Sequence, residues 1–192
     1  DTSSKPALYI SGKDNFREKV ATILPYKGNR DPLHKPKYYK EIREYLKDAY
    51  GAQVVDGQEA DDEIGIAQWK AGKETCIVSI DKDLDMIPGY HYNWVRDHFY
   101  YVSLDEANYN FYHQLLVGDR TDNIPGIDGI GPVKASRALG DIGKDLEYYA
   151  RVVREEYKRQ YESKWEDALQ EVAQLIWIRR EPGKGTDLPL LK

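Results

Sequence analysis

The stretch Thr75-Cys-Ile-Val-Ser-Ile-Asp-Lys-Asp-Leu-Asp85 decides the class of fold. Thr75 to Ile80 is mostly β-branched and apolar and reads as a central strand. The acids begin where that strand stops. In open α/β sheets, ligands gather beyond the carboxyl ends of strands, so Asp81 and Asp83, two residues apart, can be aimed into one crevice. A solvated acidic turn would look the same on this stretch alone, so its neighbours matter.

Outward from it, strand and helix signals alternate. Ala7-Leu-Tyr-Ile10 is a short apolar run closed by Ser11-Gly12, a strand and a turn. Lys37 to Tyr50 carries Tyr38, Tyr39, Ile42, Tyr45, Leu46 and Ala49 at helical spacing, with Gly51 as its cap. Ala52 to Val55 reads as a strand, and a helix runs from about Asp61 to Ala71, with Gly72 beyond it. His91–Val95 and Phe99–Val102 form a strand pair. Ser103-Leu-Asp-Glu106 matches a capping box, which predicts a helix from about Leu104 to Val117. From Lys144 onward the period is helical, with one stripe through Tyr148, Val152, Val153 and Tyr157 and another through Trp165, Leu169, Val172, Leu175 and Ile176. Glu181-Pro-Gly-Lys-Gly-Thr186 reads as a loose terminus. Repeated strand–helix–strand units imply an α/β fold: a parallel-sheet core flanked by helices, followed by a C-terminal helical region.

Composition narrows the function. The chain has 192 residues with 41% apolar side chains, enough for a core. Its one cysteine, Cys76, excludes a disulfide framework and reads as a buried, inert thiol, which fits a reducing cytoplasm. No run approaches a membrane span and no signal peptide opens the chain. A chain that opens Asp1-Thr-Ser-Ser, with Met86 its one methionine, reads as processed, excised or partial. The net charge of −5 argues at first against nucleic acid. The 33 acids are clustered, however, and basic residues concentrate from Lys27 to Lys47.

Three acidic clusters carry the chemistry. Glu59-Ala-Asp61-Asp62 lies between a strand and a helix, and three acids in four residues exceed what helix capping requires. Asp81 and Asp83 follow the apolar strand. Gly118-Asp119-Arg-Thr-Asp122 follows a helix whose C-terminal dipole opposes carboxylates, a penalty that a bound cation would remove. Hard divalent cations such as Mg²⁺ or Mn²⁺ prefer such oxygen ligands, whereas His34, His91, His98 and His113 are too scattered for zinc. In two-metal hydrolysis one ion activates water and the other stabilises the leaving oxygen. Next to the third cluster, Gly126-Ile-Asp-Gly129-Ile130-Gly131-Pro-Val-Lys134 looks like a helix–hairpin–helix signature, whose bare backbone and following helix N-terminus favour a phosphate. Tyr26-Lys27-Gly-Asn-Arg30 is a basic aromatic patch: Lys27 and Arg30 suit a phosphate, and Tyr26 could stack a base.

Together, Glu59–Asp62, Ser79–Asp83 and Gly118–Gly131 resemble the 5′ nuclease (flap endonuclease) family, which includes the 5′ nuclease domain of bacterial DNA polymerase I and bacteriophage 5′–3′ exonucleases. Tyr26–Arg30 is similar to the basic arch motif of its phage members. The resemblance runs from about Leu8 to Leu139. It implies a PIN-like nuclease core over 1–117 and a helix–hairpin–helix with helical region over 118–192. It also implies a metal site of Glu59, Asp61, Asp62, Asp81, Asp83, Asp119 and Asp122, holding two Mg²⁺ or Mn²⁺ ions. Lys27 and Arg30 would act at the scissile phosphate, with Tyr26 nearby. Gly126, Gly129, Ile130, Gly131 and Lys134 would grip duplex DNA, with K⁺ on the loop carbonyls. The implied substrates are 5′ ends, flaps or gaps in phage or bacterial DNA, cut to leave 5′-phosphates. Two places depart from the family pattern. The family's first strand, ending in an aspartate ligand, has no counterpart ahead of Leu8, so an upstream segment or another chain would supply it. Gly12 stands at a second ligand place, with Asp14 two residues on. A binding module without catalysis is therefore the alternative, and a related acidic ribonuclease ranks below both. An EF-hand fails on spacing.

Overall fold

The computed structural model describes residues 6–31, 35–183 and 185. His34, and Lys184 and Thr186 of the expected loose terminus, lie outside them. The elements run β1 (Tyr9–Ser11), α1 (Phe16–Val20), α2 (Tyr39–Tyr50), β2 (Gln53–Val55), α3 (Ala60–Ala71), β3 (Cys76–Val78), β4 (Gly89–Asn93), β5 (His98–Val102), α4 (Leu104–Val117), α5 (Pro132–Leu139), α6 (Leu146–Tyr161) and α7 (Trp165–Ile176). A 3-10 turn over Lys82–Met86 separates β3 from β4.

Local chemistry sets most of these boundaries. The capping box forms as read: the Ser103 hydroxyl accepts the Glu106 amide, and the Glu106 carboxylate accepts the Ser103 amide. Gly51 ends α2 in the left-handed conformation at φ 68°, where it closes on the Leu46 and Lys47 carbonyls. Asp145 caps α6 by accepting the Tyr148 amide at 2.7 Å.

β1 and β2 pair in parallel, with Tyr9 opposite Gln53. β3 pairs in parallel with β4, and β4 pairs antiparallel with β5 in the expected hairpin. Among the described residues these are two separate sheets. Thr75–Ile80 therefore does not read out as a central strand. Only Cys76–Val78 is strand, it pairs on one side alone, and Val78 is 60% exposed. Cys76 shares the exposed face of β3 with Val78, so its thiol is exposed and not buried as expected.

The main core lies under the helices. Phe111, Tyr112, Leu115 and Leu116 of α4 pack with Ala135 and Leu139 of α5, Tyr149, Val153 and Tyr157 of α6, and Leu169 and Val172 of α7. This cluster crosses the boundary expected at 117/118. A smaller cluster of Ile77, Leu84, Ile87 and Ile178 sits beneath the Lys82–Met86 turn. No helix among the described residues is long and apolar enough to cross a membrane.

Candidate active site

The carboxyl end of β3, the first turn of α3 and the turn after α4 meet around one small cavity of about 30 Å³. Glu59, Asp61, Asp83, Asp119 and Asp122 line it over an apolar floor of Leu175, Ile176 and Ile178. Three stretches distant in sequence thus bring five acids to one place, and each is aimed by its own backbone. Glu59 is the N-cap of α3. Asp81 caps the 3-10 turn by accepting the Asp83 amide at 3.0 Å, and Gln114 of α4 reaches Asp83 at 3.4 Å. In the turn after α4, Asp119 pairs with Ile124 through two backbone bonds of 2.9 and 2.7 Å. Its carboxylate accepts the Thr121 amide at 2.7 Å. Gly118 and Gly126 let that turn close. A Cβ on Gly126 would lie 2.3 Å from the Val117 carbonyl, and one on Gly118 would lie 2.4 Å from the Gly126 nitrogen.

The acids repel one another. Burial, then the charges of Asp81 and Glu59, push the Asp61 carboxyl up to about 6. Asp83 is pushed up to about 7, first by burial, then by Asp81 and Asp119. Asp81 is exposed at the rim and acts on both through its charge.

The basic patch lies on the same acids. Tyr26 donates its hydroxyl between Glu59, at 2.7 Å, and Asp122, at 2.8 Å. Lys27 pairs with Glu59 and stands 3.5 Å from Asp122, and Arg30 pairs with Asp122. Backbone and side-chain bonds clamp this segment to the turn after α4: the Lys27 amide donates to Asp122 (2.8 Å), Asn29 to Arg120 (2.7 Å) and Asn123 back to Pro25 (2.8 Å). Among the described residues no three acids or histidines stand ready as a ligand group. The chain's own cations occupy Glu59 and Asp122. The donor set itself, hard carboxylate oxygens of which Asp61 and Asp83 are raised first by burial and then by neighbouring acids, fits a divalent cation.

Asp62 differs from the rest of the expected ligand set. It is fully buried, and both of its oxygens are taken by Arg17, at 2.6 and 2.9 Å. Burial works against the Arg17 charge, yet Asp62, with Tyr26 and Glu59, more than offsets it and holds the guanidinium above its ordinary value. Arg17 carries no signal in the sequence; only the structure finds it. Gly12 is also informative: a Cβ there would lie 2.1 Å from the Asp56 carboxylate, which accepts the Lys13 amide at 2.7 Å. Asp14 is exposed, at φ 61°. Of the expected DNA-binding positions, Gly129 and Gly131 are exposed with open space beside them, and Ile130 is half-buried against the core. Lys134 donates to the Gly129 carbonyl at 2.8 Å. Gly126 serves the backbone crossing instead.

No family model matches the chain. It is 31% identical over 168 residues to the flap endonuclease Xni of Pectobacterium atrosepticum, covering 77% of this chain and 64% of that protein. It is 30% identical over 140 residues to the 5′-3′ exonuclease of Buchnera aphidicola, covering 65% of this chain and 48% of that one. The flap endonuclease of Escherichia phage T5 is 24% identical over 174 residues, 76% of this chain and 59% of its own. The chain thus spans less than two thirds of the length of these relatives. Among solved structures, a phage T5 protein co-crystallised with metal ions superposes with a TM-score of 0.54 at 20% identity, covering 86% of this chain and 75% of that one. The T5 flap endonuclease in a pseudo-enzyme–product complex with DNA and metal ions gives 0.52 at 18% identity, over 88% and 84%. These solved structures establish a shared fold. In sequence the chain is thus similar to flap endonucleases and 5′-3′ exonucleases, and in fold to the phage T5 protein.

Proposed function

We propose that the chain carries the carboxylate centre of a structure-selective 5′ nuclease that hydrolyses DNA phosphodiester bonds with divalent metal ions. One observation supports this reading above the rest: five acids from three separate segments line one cavity, and the Tyr26–Arg30 segment lies across them. In this reading Glu59, Asp61, Asp83, Asp119 and Asp122, with Asp81 at the rim, would hold two Mg²⁺ or Mn²⁺ ions, which would supply activation of the attacking water and charge stabilisation. Lys27 and Arg30, which pair with these carboxylates, would bind the scissile phosphate, with Tyr26 beside them. The bare backbone at Gly129 and Gly131, with Ile130 and Lys134, is the duplex-binding hairpin, with K⁺ on its carbonyls. The boundary at 117/118 then runs through the centre itself, since Asp119 and Asp122 on the hairpin side share the cavity with Glu59, Asp61 and Asp83. The substrates are DNA with 5′ ends, flaps or gaps, in a bacterial or phage-infected cytoplasm, where an exposed free thiol is at home. An upstream segment or a second chain adds a strand beside the sides of β1 and β3 that have no partner among the described residues.

The test is a 5′-labelled flap with Mg²⁺. The expected result is ion-dependent release of 5′-phosphate products, reduced more than about 100-fold by Asp119→Asn, beyond the usual cost of losing an outer-shell partner. Equal cutting by both proteins would exclude the assigned centre. A second reading, DNA-structure binding without cleavage, is favoured by Gly12, whose place admits no side chain while Asp56 stands there. It predicts salt-sensitive affinity for branched DNA and no hydrolysis with any divalent ion.

A further inference from the structure

Resting on that reading, we propose that Arg17 is a positioning residue, which through Asp62 holds Glu59 and Asp61 in the orientation from which they reach the cavity. Arg17 is 2% exposed, and four of its five N–H donors are directed at acceptors. Two bonds go to Asp62, one from Nε to the Leu175 carbonyl at 2.9 Å and one from Nη2 to the Trp177 carbonyl at 2.7 Å. Asp62 in turn accepts the backbone amides of Glu59 and Arg179, each at 3.1 Å. Nη1 also stands 3.7 Å from the Glu59 carboxylate.

The pair therefore ties α1, the first turn of α3 and the chain leaving α7 into one knot at the cavity, which Arg17 itself lines. Glu59 is the N-cap of that turn and Asp61 lies within it, so their aim depends on where the turn is anchored. A carboxylate with both oxygens taken by a buried fork of donors is poorly placed to ligate an ion, which separates Asp62 from its neighbours. Lysine cannot reproduce the fork, because it offers one point charge where arginine offers planar, paired donors.

The test measures Mn²⁺ binding to the full chain by electron paramagnetic resonance, at a temperature where circular dichroism shows every protein folded. The variants are Arg17→Lys, Arg17→Met, Asp62→Asn and Arg17→Lys/Asp62→Asn. Arg17→Lys and Asp62→Asn should each weaken Mn²⁺ binding about tenfold, as loss of a partner behind a metal ligand does. The double variant should be no weaker than either single one, since both act through one knot. Arg17→Lys binding Mn²⁺ as tightly as wild type would overturn the role. So would loss of binding in Asp62→Asn alone, which would make Asp62 a ligand. If Arg17→Met fails to fold, Arg17→Lys decides the matter. Wild-type protein that binds no Mn²⁺ would instead defeat the metal reading itself, and Arg17's role with it.

Discussion

Asp61 and Asp83 are where the cost of gathering acids is concentrated. Folding raises their pKa values from the ordinary 3.8 to about 6 and about 7. The folded chain therefore holds these protons more tightly than the unfolded chain, and the sign follows by linkage: the two groups reduce stability as pH climbs from about 4 to about 7. Metal-free protein should melt at progressively lower temperature across that window, and Asp83→Asn should flatten the decline. Comparing the two slopes cancels groups such as Glu106, whose pKa is shifted down by its bonds with Ser103. Identical slopes would mean that Asp83 is not under this strain. The acids were legible from their placement at strand and helix ends. The division of labour among them was not, because Asp61 and Asp62 are adjacent and alike in sequence. Only the burial of Arg17 against one of them tells them apart.

At the scale of elements, the turn between α4 and α5 separates two uses of glycine. Gly126 has backbone on every side that a Cβ would occupy, whereas Gly129 has open space and needs only its φ of 74°. Gly126→Ala should cost about 1–3 kcal/mol, as overpacking does, and should also displace Asp119 and Asp122. Gly129→Ala should cost about 1 kcal/mol, from left-handed strain alone. Urea denaturation of both variants checks the order, and a Gly126→Ala protein as stable as Gly129→Ala would contradict the crossing. Helices with local signals were legible nearly to the residue: α4 from its capping box, α2 from Gly51. Strand β3 stands at an edge among the described residues, and an apolar, β-branched run states its propensity and not its neighbours. Pairing is decided by segments far away in the chain, and among the described residues β3 has a partner on one side only.

In the whole molecule, stability and function are unevenly placed. The dense core joins α4, α6 and α7, while β1 and β2 form a separate two-stranded sheet. Hydrogen exchange should therefore be slowest in α4, α6 and α7 and fastest in β1 and β2. Uniform protection would show that the two sheets are more strongly joined than their pairing indicates. The net charge of −5, at first an objection to a nucleic-acid partner, is partly the signature of this centre: several of the acids stand together at one cavity, under the chain's own Lys27 and Arg30. The most direct measurement is anomalous diffraction from a crystal of this chain grown with Mn²⁺. The expected result is a peak in the cavity within about 2.5 Å of oxygens from Asp61, Asp83 and Asp119, with Lys27 drawn off Glu59. A cavity without a peak, or Mn²⁺ bound only elsewhere on the surface, would contradict the account.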